Sequence, residues 1–152
     1  MKTIAQNKKA FYEYDILERL ESGIVLTGDE VKSVRAGQVS LIGSFAAPHK
    51  GELFLINAMI TPYSHAYNKG EEEGRKSRKL LLHKRELSRL FGDISRKGIT
   101  VVPLKLYINS KGIVKVELGV AKHKKAHGIK EAIKERDIQR ETRRELTGKY
   151  NY

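Results

Sequence analysis

The stretch from Lys122 to Tyr152 limits this chain more than any other. It carries ten Lys and Arg against five Asp and Glu, and its sizeable aliphatics are Ile129, Ile133, Ile138 and Leu146. A segment so poor in apolar side chains cannot bury enough surface to offset the entropy of ordering its own backbone. A core must therefore come from residues 1–121, and the tail 122–152 is expected to be disordered when free.

Those first 121 residues alternate as strands do. FYEYDILERLESGIVL, residues 11–26, sets Tyr12, Tyr14, Ile16 and Glu18 on one side, and Gly23 interrupts it where a bulge or bend is expected. Thr27 followed by Glu30 forms a capping box, Val31 and Val34 sit three apart, and Gly37 is placed to end that short helix. Lys32 and Arg35 share its other face. Residues 44–60 predict a hairpin turning at Lys50-Gly51, with Leu53, Leu55 and Asn57 alternating against Phe54, Ile56 and Ala58. Residues 61–77 are polar, with Pro62, Gly70 and Gly74, and predict a loop. RKLLL then predicts a strand, and Glu86, Leu87, Leu90 and Phe91 a helix closing near Gly92. Two further strands, ITVVPLKLYIN and IVKVELGVAK, meet at Ser110-Lys111-Gly112. The pattern predicts a mainly β fold of five or six short strands, a small barrel or sandwich with helices at its ends.

A net charge of +12 on 152 residues points to a polyanionic partner, because each phosphate neutralised by Lys or Arg releases condensed counterions. Nucleic acid is the expected partner and an acidic membrane surface the rival. The absence of cysteine excludes disulfides and thiolate metal sites and suits a reducing cytosol. MKTIAQNKKAF lacks the apolar stretch of a signal peptide, and no run is apolar enough to span a bilayer. A soluble, cytoplasmic monomer is expected.

Wound as a helix, the tail gathers Arg136, Arg140, Arg143 and Arg144 on one arc with Ile129 and Ile133. Same-sign columns at i,i+4 oppose the acidic-basic pairs at i,i+3, so such a helix is marginal alone. Against a polyanion the arginine stripe is neutralised. A tail helical when bound follows.

Signs of an active site are few. The five histidines stand at 49, 65, 83, 123 and 127, and Lys122, Lys124, Lys125 and Lys130 surround the His123–His127 pair and repel a cation. No metal or cofactor is expected, and Glu71, Glu72 and Glu73 read as a solvated run. No triad signature, phosphate loop or zinc spacing occurs. Tyr12, Tyr14, Tyr63, Tyr67 and Tyr107 are candidates to stack bases, against the plainer reading of core or rim tyrosines. Lys122, Lys124 and Lys125, at the exit from the last strand, have no evident folding role.

NKKAFYEYDI, ESGIVLTGDEVKSVRAG, GELFLINAMITPY, RKLLLHKREL, GITVVPLKLYIN and VKVELGVAK, in that order, resemble the SsrA-binding protein family, also called small protein B. The resemblance runs from Asn7 into the tail. It implies a barrel of the oligonucleotide-binding type that binds the tRNA-like domain of transfer-messenger RNA and helps load it into the A site of stalled ribosomes. The tail would enter the empty mRNA channel near the small-subunit decoding centre. No covalent chemistry is implied; alanyl-tRNA synthetase and elongation factor Tu charge and deliver the RNA.

By motif, the family's RNA contacts fall on Asn7, Glu21, Leu81 and Lys115, with core as the other reading of Leu81. His127 matches a histidine that stacks in the decoding centre, and Lys130 and Lys134 join the arginines of the tail. Two departures stand out. His123 replaces a usual Gly, and Gly128-Ile129-Lys130 replaces a usual Asp-Lys-Arg, so the tail's contacts have either moved to Lys125 and Lys134 or weakened. The alternative functions are a general single-strand RNA-binding barrel, such as a chaperone, and a nuclease with scattered carboxylates.

Overall fold

Along residues 1–62 and 71–124, which the computed structural model describes, strands alternate with short helices. The order is β1 (Lys2–Gln6), α1 (Lys8–Glu13), β2 (Tyr14–Ile24), α2 (Gly28–Arg35), β3 (Val39–Ser40), β4 (Phe45–His49), β5 (Glu52–Ile56), β6 (Met59–Ile60), α3 (Glu71–Gly74), β7 (Arg78–Leu81), α4 (Lys84–Lys97), β8 (Thr100–Ile108) and β9 (Val114–His123). Six strands close a ring, β8-β4-β5-β7-β2-β9 and back to β8, with every pairing antiparallel. β1 lies outside the ring on the edge of β8, and β3 pairs with β6 as a separate ribbon. The expected mainly β body with a few helices is what folds; of nine strands among the described residues, where five or six were expected, six form the ring.

The ring is filled by one parity of each strand. Leu53, Leu55, Leu80, Val101, Leu106, Val116 and Leu118 are all at most 1% exposed, and Leu90 of α4 and Val34 of α2 join them. Each fully buried side chain of this size contributes about 1.5–3 kcal/mol. A second, smaller cluster lies elsewhere: Ala10 of α1 packs on Val102, Leu104 and Ala121.

Local chemistry accounts for the turns. His49 pairs with Glu52, and Lys50 and Gly51 take φ of 52° and 79°, the two left-handed residues of a type I′ turn. Both halves of the Thr27 capping box form, Thr27 N–H donating to Glu30 at 2.9 Å and Glu30 N–H to the Thr27 hydroxyl at 3.2 Å.

Several expectations give way to tertiary contacts. Residues 11–13 are helical, because burying Ala10 outweighs the strand preference of Phe11 and Tyr12. The bulge of β2 falls between Ile16 and Glu18 rather than at Gly23, where β2 pairs with β9 on one side and β7 on the other. Asn57 adopts a left-handed φ of 68°, which shifts the phase so that Ala58, not Asn57, is buried. Gly92 lies inside α4, which runs on to a left-handed cap at Gly98. Within the expected loop, residues 71–74 form a helical turn. Arg78, 3% exposed, secures it by donating to Gly74 O (2.9 Å), Ala58 O (3.0 Å), Lys76 O (3.1 Å) and the Glu30 carboxylate (2.6 Å).

Candidate nucleic-acid interface

Positions of β9 that point away from the ring are Lys115, Glu117 and Gly119, since Val114, Val116 and Leu118 point in. Residues directly opposite one another in antiparallel strands share a face. Leu81 of β7 faces Gly23 of β2, Gly23 faces Lys115, and Lys115 faces Tyr107 of β8. In the adjoining row Glu21 faces Glu117, which faces Lys105. Glu21, Leu81 and Lys115, scattered in the sequence, thus meet on the outer face of three neighbouring strands. Leu81 is 50% exposed, which removes the reading of it as core.

Two glutamates directly opposite repel, and the site separates their partners. Arg19 lies 3.5 Å from Glu117, while the Tyr107 hydroxyl donates to Glu21. Tyr107 is 5% exposed, so its ring has no open face for a base; Tyr12, 79% exposed, has one. Lys105 Nζ stands 5.5 Å from the Tyr107 ring centroid, within cation–π range. Burial, the hydrogen bond to Glu21 and the charges of Glu21 and Glu117 all push the Tyr107 phenol above its ordinary range. It remains a donor at any physiological pH. Residue type alone marked Tyr107 as a stacking candidate; only the register across β9 reveals it as the partner of Glu21.

Asn7 is elsewhere and 4% exposed. Its side-chain amide donates to Pro103 O at 2.9 Å and its backbone N–H to Leu104 O at 2.8 Å, where the β8 register shifts between Pro103 and Lys105. It ties the start of α1 to that irregularity. A cavity of about 260 Å³ opens beside it, bordered by Glu13, Tyr14, Phe45 and His123.

At the end of β9, exposed Lys122 faces Asp15, and Lys124 N–H donates to Glu13 O at 3.0 Å. Between them the His123 ring rests 4.5 Å from that of Tyr14. Burial holds the His123 imidazole below its ordinary range, with Glu13 pulling the other way. Lys32 and Arg35 are exposed on α2, which packs on β6 and sends Val34 into the core of the ring. Lys125, His127, Lys130, Lys134, Arg136, Arg140, Arg143 and Arg144, with Tyr63, Tyr67 and His65, lie outside the described residues. Among the described residues, no His, Asp and Glu cluster is suited to a metal, and no helix is long and apolar enough to cross a membrane.

The chain as a whole, rather than this face alone, has relatives among known families. The family described as SmpB protein matches residues 4–148. This chain is a member of the SmpB family. An SsrA-binding protein of Coprothermobacter proteolyticus is 47% identical over 152 residues, covering all of both chains. Another, of a Synechococcus strain, is 51% identical over 146 residues, 96% of this chain and 94% of its own. Among solved structures, one described as "tmRNA-SmpB: a journey to the center of the bacterial ribosome" has 51% identity and a TM-score of 0.64, over 80% of this chain and 84% of that one.

Proposed function

We infer that this chain binds transfer-messenger RNA and acts with it on stalled ribosomes in trans-translation. Relatives at about half identity over nearly the whole chain are SsrA-binding proteins, and a similar structure is of the SmpB protein with that RNA on the ribosome. The observation that carries the reading to particular residues is the common exposed face of Glu21, Leu81 and Lys115. There Lys115 neutralises a phosphate, Leu81 packs against a sugar or base, and Glu21 accepts from the N–H edge of an unpaired base. Lys122 and Lys124 extend the positive surface toward the tail. The tail, with Lys125, His127, Lys130, Lys134 and its arginines, runs along the small subunit into the vacant mRNA channel. Such a protein works in the cytoplasm as a non-enzymatic, monomeric adaptor.

Competition binding at a fixed salt of about 150 mM tests this, because salt alone moves non-specific affinity by orders of magnitude. The tRNA-like domain should displace labelled transfer-messenger RNA at far lower concentration than unstructured RNA of equal length. Equal competition by both would reverse the conclusion in favour of a general RNA-binding protein.

A further inference from the structure

We propose that Tyr107 is a positioning residue for RNA recognition, holding the Glu21 carboxylate in the orientation that reads the RNA; this rests on the reading above that Glu21 contacts RNA. Tyr107 stands opposite Lys115, one strand removed from Glu21, and its side chain reaches diagonally across β9 to that carboxylate. The ring is almost wholly covered while the carboxylate it bonds is exposed. A glutamate on an exposed strand position otherwise samples several rotamers. Its neighbour Glu117 would push it further from any single one.

The division of partners matters. Arg19 takes Glu117, and among the described residues no lysine or arginine pairs with Glu21. A cation there would compete with RNA donors for the carboxylate lone pairs. A single neutral O–H occupies one acceptor site of about four and leaves the rest directed outward. Lys105 over the ring, with Lys115 beside it, surrounds this acceptor with positive charge suited to the phosphates on either side. Tyr107 thereby lets a carboxylate serve within a surface that otherwise selects polyanions.

The test is a double-mutant cycle on full-length protein, with the tRNA-like domain as ligand. Tyr107→Phe removes only the hydroxyl, and thermal unfolding verifies that the variant is folded. It should weaken binding by about 3- to 10-fold, the range of one hydrogen bond. In a Glu21→Ala background the same change should weaken binding less than twofold. The slope of log affinity against log salt should be unchanged by Tyr107→Phe and fall by about 1 for Lys115→Ala. Equal losses in both backgrounds would make Tyr107 a packing residue only, and wild-type affinity for Tyr107→Phe would overturn the proposal outright. Wild-type affinity for Glu21→Ala would remove both Tyr107's role and Glu21's contact. Loss of preference for the tRNA-like domain by the wild-type protein would instead refute the functional reading itself.

Discussion

A methyl group placed on Gly119 would lie 3.0 Å from both terminal carbons of Leu104. Leu104 belongs to the cluster that fixes α1 to the ring, so it cannot give way freely. Gly119→Ala should destabilise by about 1–3 kcal/mol, the cost of overpacking, measured by urea unfolding. The His123 imidazole sets a second expectation. Its folded-state affinity for protons is lowered, mainly by burial, so the unfolded chain binds protons more readily. This group's contribution to stability is therefore fullest above its ordinary value of about 6.5 and is lost as pH falls from there through the lower folded-state value. Melting temperatures from pH 8 to pH 5 should fall less steeply in His123→Gly than in the parent.

Elements are held by a few polar groups whose partners are far apart in the chain. Arg78 opens β7 but bonds carbonyls of residues 58, 74 and 76 and the carboxylate of Glu30, on which the α2 capping box also depends. Arg78→Met leaves the largely buried Glu30 carboxylate with only the Thr27 N–H and Lys76 Nζ at 3.9 Å, and removes the donor to three carbonyls. A loss of about 3–5 kcal/mol is expected, as for breaking a buried pair from one side. Thr27→Ala removes one cap hydrogen bond and should cost about 1 kcal/mol. Chemical denaturation of both variants should rank them in that order; equal losses would mean that Arg78 is not the joint between α2, β7 and the residue 71–74 helix.

At the scale of the whole molecule, the net charge of +12 is unevenly shared, with ten cationic and five acidic side chains from Lys122 onward. β9 continues to His123, and Lys124 is still bonded to Glu13. A truncation that respects the sheet therefore ends after Lys124. That variant should keep its preference for the tRNA-like domain, with a shallower salt slope, and lose peptide tagging of stalled ribosomes. Loss of the preference along with tagging would show that body and tail do not divide the work.

The sequence by itself determined what depends on neighbours within a few residues. The Lys50-Gly51 turn, the Thr27–Glu30 box and the inward alternation of Val114, Val116 and Leu118 follow from local backbone preference and a period of two, and all are present. It also carried, through its likeness to a family, the names Glu21, Leu81 and Lys115, without showing that they meet. Only the tertiary structure decided the helix at residues 8–13, the phase shift at Asn57, the burial of Asn7 and the partnership of Tyr107 with Glu21. Each depends on the register between strands dozens of residues apart. That register is set by closing the ring around its core, a condition no local window of sequence contains.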